Sequence, residues 1–202
     1  MNAYIQTYNM SNKLFFYAIA EGNLRNIKQI CENKKNINDK RVISFAAENG
    51  HLEIVKFFHK RGEIINEQAI SRAAKNGHLE VVKWLYENKG VINNQAISRA
   101  VEHGHLECVK FLYERGGYVD VDTSSFYAAN FGHLEIVKYF YEKTGKINRG
   151  AIARSAENGE LEIVKYLCSK GGFIGKRSIV LAAENKHLEI VEFLGFTKYI
   201  ST

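Results

Sequence analysis

The sequence predicts an all-α fold, a solenoid of about seven stacked helix-turn-helix repeats, and three observations carry that expectation. A four-residue turn recurs along the chain as Gly50-His51-Leu52-Glu53, Gly77-His78-Leu79-Glu80, Gly104-His105-Leu106-Glu107 and Gly132-His133-Leu134-Glu135. Weaker copies at Gly22-Asn23-Leu24-Arg25, Gly159-Glu160-Leu161-Glu162 and Lys186-His187-Leu188-Glu189 bring the series to seven, spaced 27 or 28 residues apart. Each turn is flanked by apolar residues at helical rather than strand spacing.

The segment before each turn, for example Ala69-Ile70-Ser71-Arg72-Ala73-Ala74, forms the first helix of a repeat, helix A. Eleven positions before the turn glycine stands a column of capping residues, Ser11, Asp39, Asn66, Asn93 and Asn148, whose side-chain oxygens can accept an unpaired backbone N–H. Glycine then ends helix A, because it enters the left-handed region without steric penalty. Helix B follows, with Val81, Val82 and Leu85 on one side and Glu80 and Lys83 on the other. A single helix pair cannot bury its own apolar face, so neighbours must stack. One continuous domain over residues 1–202 is expected, with repeats at about 11–37, 38–65, 66–92, 93–119, 120–147, 148–174 and 175–202.

Residues Ala73-Ala74-Lys75-Asn76-Gly77-His78-Leu79-Glu80-Val81-Val82-Lys83 resemble the second half of the ankyrin repeat, and the likeness returns in all seven units. Two departures stand out. The Thr-Pro-Leu-His opening of the ankyrin helix A is replaced by sequences such as Gln68-Ala69-Ile70-Ser71, and each repeat is about six residues short of the usual 33. Only Lys89-Gly90-Val91-Ile92 are left between helix B and the cap Asn93, too few for a β-hairpin finger, so fingers should be reduced or absent. Short repeats without proline, rich in Asn and Lys, also resemble the ankyrin families of giant viruses that infect amoebae. That likeness implies a protein of the host cytoplasm.

Composition narrows the function. With 202 residues, 46% hydrophobic and 25% charged, the chain can bury a core. It has no apolar run long enough to span a membrane, and Met1–Gln6 lacks the features of a signal peptide, so an intracellular, cytoplasmic protein is expected. Three irregularly spaced cysteines make neither a disulfide framework nor a zinc site. No phosphate-binding glycine loop, nucleophile with its base, or ligand constellation stands apart from the repeat, so no enzyme, cofactor, metal or small-molecule substrate is expected.

The columns can each be read as chemistry or as structure. His51, His78, His105, His133 and His187 share one position, but equivalent residues of stacked repeats lie roughly 10 Å apart, too far to share a zinc ion. They read as turn residues, and His59 and His103 as solvated. The aromatic stripe Phe57, Trp84, Phe111, Tyr139, Tyr166 and Phe193, with His59, Tyr86, Tyr113 and Tyr141 beside it, reads as packing between repeats. Lys56, Lys83, Lys110, Lys138 and Lys165 each follow a glutamate by three residues. That pairing cancels most of the field a basic repeat would offer to nucleic acid, the alternative partner class suggested by the net charge of +6.

The helix A column five positions before the turn glycine is variable: Tyr17, Phe45, Arg72, Arg99, Tyr127, Arg154 and Leu181. The ankyrin resemblance places this side of helix A in the concave groove that receives partners, and aromatics with arginine favour binding hot spots. The first six are therefore the expected partner-binding residues, and the partner is another protein. Lys75, Glu102, His103, Asn130, Phe131 and Glu157 vary nearby. At the ends, Asn26 and Gln29 suit a polar cap on repeat one. Ile190, Val191, Phe193, Leu194 and Phe196 stay apolar, so the tail Thr197-Lys198-Tyr199-Ile200 should fold over them, or this end should self-associate.

Overall fold

The computed structural model describes residues 13–33 and 39–200, and side chains up to residue 195 apart from residue 33. The cap Ser11 lies outside the described residues. Among the described residues there are 14 helices and no strand. They are α1 (13–20), α2 (Leu24–Asn33), α3 (Val42–Glu48), α4 (Leu52–Lys60), α5 (Ala69–Lys75), α6 (Leu79–Glu87), α7 (Ala96–Glu102), α8 (Leu106–Glu114), α9 (Val121–Asn130), α10 (Leu134–Thr144), α11 (Ala151–Glu157), α12 (Leu161–Ser169), α13 (Lys176–Glu184) and α14 (Leu188–Ile200). Odd-numbered helices are the A helices and even-numbered ones the B helices. The chain divides into two compact units: residues through Ala100 with Glu107–Tyr118, and Val101–Leu106 with the residues from Val119 onward.

Within each unit the A helices pack side by side, α3 on α5 in the first and α9 on α11 on α13 in the second. Small residues make this approach possible. Ala46, Ala47, Ala73 and Ala74 in the first unit and Ala128, Ala129, Ala156 and Ala182 in the second are wholly buried. The B helices add Ile54, Val55 and Phe58, then Val81, Val82 and Leu85, and in the second unit Ile136, Val137, Phe140, Ile163, Val164 and Leu167, and the A helices α3, α5 and α11 each add a buried isoleucine, Ile43, Ile70 and Ile152. Each such side chain contributes roughly 1.5–3 kcal/mol on burial, which is why the B-helix pattern repeats so faithfully.

The cap column works one turn earlier than expected. The Oδ1 atoms of Asp39, Asn66, Asn93 and Asn148 accept the N–H two residues on, from Arg41, Gln68, Gln95 and Gly150. The main-chain carbonyls of these same residues receive Val42, Ala69, Ala96 and Ala151 at 3.1 Å, so a tight turn precedes each helix proper. The asparagine amides reach backwards as well. Asn66 Nδ2 donates to the Lys40 carbonyl at 2.8 Å, Asn93 Nδ2 to the Glu67 carbonyl at 2.7 Å, and Asn148 Nδ2 to Asp122 Oδ2 at 2.7 Å. One side chain thus fixes the turn ahead of its own helix and ties it to the repeat before. In the repeat at 120–147 the cap moves to Asp120, whose carboxylate accepts Asp122 N–H and the Thr123 hydroxyl, and α9 is accordingly longer.

The loops between repeats are longer than the sequence suggests. Helix α6 ends at Glu87, leaving five residues before Asn93 where about four are expected, and α7 begins only at Ala96; none of the residues between forms a strand. Asn26 and Gln29 are exposed, as a polar first repeat requires. At the other end Ile190 and Leu194 are buried, and α14 runs on through Ile200, so the backbone of the tail continues the helix instead of turning back over it. Phe196 and the tail side chains lie outside the described residues.

Candidate functional site

The histidine column is structural, through a contact the sequence does not announce. Nε2 of His51 lies 2.8 Å from the Ala20 carbonyl, His78 3.1 Å from that of Glu48, His133 3.0 Å from that of Glu102 and His187 3.1 Å from that of Glu157. A carbonyl only accepts, so each Nε2 carries the proton and donates. The acceptors sit at the C-terminal ends of the preceding A helices, where carbonyls lack helical partners. Among the described residues no group of three or more His, Cys, Asp or Glu side chains is placed to hold a metal ion. His59 is exposed and meets Trp84 edge-on at 5.3 Å.

The aromatic columns pair from one repeat to the next. Tyr86 meets Phe111 at 5.8 Å and 89°, and Tyr141 meets Tyr166 at 6.1 Å and 88°, within the favourable edge-to-face range. Every lysine of the B-helix line is held by its own glutamate, Lys56 by Glu53 and Lys138 by Glu135 at 2.7 Å, and Lys83, Lys110 and Lys165 by Glu80, Glu107 and Glu162 at 2.8 Å. These exposed pairs stabilise little, but they leave no uncompensated cationic line. The thiols of Cys108 and Cys168 are pushed up to about 11 by burial, and that of Cys31 is raised by burial too, so none is an activated nucleophile.

In the first unit, Tyr17 is 65% exposed, Phe45 is half-buried edge-on to Phe16 at 5.2 Å, and Arg72 reaches Glu48 of the preceding A helix at 2.6 Å. Arg99 donates to Gln95 Oε1 at 2.9 Å. In the second unit, Tyr127 is 48% and Phe131 42% exposed, their rings stacked at 6.3 Å and 17°. Arg154 bridges to Glu157 at 2.6 Å and lies over the Phe126 ring at 5.7 Å.

Arg154 also lines an open pocket of about 230 Å³ together with Phe126, Arg149, Glu157, Phe173 and Arg177. Of the expected binding residues only Arg154 reaches it, and Leu181 of the same column joins it. Tyr127 lies beside it, its ring edge-on to Phe126 at 5.7 Å. Phe126, Arg149, Phe173 and Arg177 lie outside the column five positions before the turn glycine. Phe126 breaks its own column, standing where Ser71 and Ser98 stand in other repeats, and Gly150 stands where Gln68 and Gln95 stand, whereas Phe173 continues the loop column of Ile64, Val91 and Tyr118, and Arg177 aligns with Arg41. The break at Phe126 and Gly150 is a signal that points to this place. A second omission is the set of exposed apolar loop residues Ile64, Val91 and Tyr118 in the first unit and Phe173 in the second.

No curated protein matches the chain with significance. Among solved structures it is similar to the crystal structure of the human ASB11 ankyrin repeat domain. The TM-score is 0.71 at 20% identity, covering 88% of this chain and 96% of that one, a likeness of fold. A family model of three tandem ankyrin repeats matches residues 14–97, 43–125, 70–151 and 125–200. With that match spanning nearly all of its length, the chain belongs to the ankyrin repeat family, whose members are in general non-catalytic modules for protein–protein interaction.

Proposed function

We propose that the protein is a non-catalytic recognition scaffold that binds a protein partner mainly through the concave face of its A helices. The contacts are made through Tyr17, Phe45, Arg72 and Arg99 in the first unit and Tyr127 and Arg154 in the second. The observation that carries this reading is the stacked, half-exposed Tyr127–Phe131 pair. Tyr127 near the end of α9 and Phe131 just after it leave two large aromatic rings partly in water, outside the core, and burial of such rings by a partner is a usual source of hot-spot energy. Arg72 and Arg154 are already oriented by Glu48 and Glu157, which lowers the entropy lost on binding. A nucleic-acid reading is less favoured, because the B-helix lysines are matched one for one by glutamates.

The short, proline-free repeats, rich in Asn and Lys, support placing the protein among those of amoeba-infecting giant viruses, at work in the host cytoplasm. A fluorescent fusion confined to an organelle of infected cells would contradict that placement. The binding face is tested by capturing the partner on the full chain, identifying it by mass spectrometry, and measuring its affinity for F45A/R72A and Y127A/R154A. At least one pair should weaken binding tenfold or more. Unchanged affinity for both overturns the A-helix assignment.

A further inference from the structure

The pocket around Arg154 has a chemistry of its own. All its lining residues lie in the second unit, on α9, α11, α13 and the loops before α11 and α13. Phe173 is 62% exposed, an aromatic ring held in water on a loop. The Arg149 guanidinium lies over it at 5.7 Å, as that of Arg154 lies over Phe126. A stacked guanidinium keeps its in-plane N–H groups available to a carboxylate. Arg149 and Arg177 are exposed and, among the described residues, form no ion pair. Glu157 is the only acid lining the pocket, and it is engaged by Arg154.

The floor is kept low by glycine. A Cβ on Gly150 would come within 3.2 Å of the Phe126 ring, and one on Gly175 within 3.0 Å of the Phe173 ring. Any other residue at either position would press on the ring beside it. At about 230 Å³ the pocket falls below the roughly 300–1,000 Å³ usual for a whole small-molecule ligand. It suits one or two side chains of a longer chain passing over it.

We propose that this pocket receives an acidic peptide segment of the partner, with a large apolar side chain packed against Phe126 and Phe173 and neighbouring Asp or Glu carboxylates held by Arg149 and Arg177. The proposal rests on the recognition-scaffold reading and narrows it to one class of ligand. Charge complementarity selects the occupant: three arginines with a single, already paired carboxylate repel a basic peptide and attract an acidic one.

The test is selection from a phage library of random 12-residue peptides against the full chain, followed by fluorescence anisotropy with the enriched peptides. Enriched sequences should carry Asp or Glu within three residues of Phe, Tyr, Trp, Leu or Met. Their affinity should fall at least tenfold in R149E/R177E and in F173A, weaken with added salt, and stay unchanged in E53Q/K56Q, a charge-neutral change on the B helix α4. Arg149, Phe173, Arg177 and Glu53 are exposed and Lys56 partly so, and circular dichroism checks that each variant folds. No enrichment, enrichment without acidic residues, unchanged affinity in R149E/R177E, or tighter binding of a 20-nucleotide single strand each overturns the pocket assignment. Peptides lost only in F45A/R72A overturn it too, but leave the A-helix reading standing.

Discussion

The imidazole of His78 donates from Nε2 to the main-chain carbonyl of Glu48 at 3.1 Å, and the same ring covers Gly50, where a Cβ would stand only 2.6 Å from it. Asn76 Nδ2 reaches that same carbonyl at 2.7 Å, so the C-terminal end of one A helix is satisfied by two side chains of the next repeat. The turn glycine therefore has two duties. It holds φ at +77° and leaves room for the following repeat's histidine.

Removing the histidine should cost about 1–2 kcal/mol, the value of a partly buried hydrogen bond and its lost packing. Gly50→Ala should cost more, because the strain of a left-handed alanine, about 1–2 kcal/mol, adds to the overlap with the ring. Part of that overlap disappears when His78 is also alanine. Urea unfolding of G50A, H78A and the double variant should give a double-variant cost smaller than the sum. Strict additivity would show that ring and glycine do not constrain each other.

Lys186 occupies the turn position that is glycine in the other repeats, and its φ is +63°. Lys186→Gly should stabilise the protein by about 1 kcal/mol, the strain of an L-residue in that region less the added freedom of the unfolded chain. Lys89, at φ +67°, has the same cause for strain where other repeats place Gly62, Gly116 or Gly171 after helix B. Thermal melts should show a higher midpoint for each substitution. A lowered one means that the lysine side chain contributes more than its backbone costs.

Much of this was legible in the sequence, for reasons that differ by feature. Helix identity, the B-helix core and the Glu–Lys pairs depend on residues three or four apart, and local spacing reports those directly. The histidine-to-carbonyl bonds join residues 30 or 31 apart, so the column showed that His mattered without showing what it touched. Lys89 hides its left-handed conformation because its side chain gives no hint of it, and Asp120 escaped because one inserted residue moved the cap out of register. The Phe126–Phe173 pocket is hidden for a different reason: Phe126 departs from the Ser71 and Ser98 column, Phe173 belongs to a loop column with Ile64, Val91 and Tyr118, and only the fold brings the two beside one pocket.

Asn93 separates its two duties cleanly. Asn93→Asp keeps the oxygen that accepts Gln95 N–H but loses the donor to the Glu67 carbonyl, while Asn93→Ala loses both. The alanine variant should lose about 1–2 kcal/mol and the aspartate variant a part of that. Equal stability of Asn93→Asp and the parent protein would mean that the inter-repeat bond adds nothing.

The cysteines should be inert while the chain is folded. With Cys108 and Cys168 raised to about 11 from 9.0, the thiolate fraction at pH 8 is on the order of a thousandth. Alkylation by iodoacetamide should be slow until denaturant is added. In the unfolded chain these thiols ionise first, near pH 9, so protons are lost from the unfolded state and stability falls between pH 9 and 11. Cys108→Val should flatten that fall. Fast alkylation of the native protein would place the thiols in water.

The central claim is that a partner is held on the A helices and not on the B helices. Amide hydrogen exchange, followed by mass spectrometry on the full chain with and without the captured partner, tests it most directly. New protection should concentrate on α1, α3, α5, α7, α9 and α11 and on the loops before α11 and α13, with little change along α4, α6, α10 and α12. Protection confined to the B helices, along the paired Glu–Lys surface, would contradict the account.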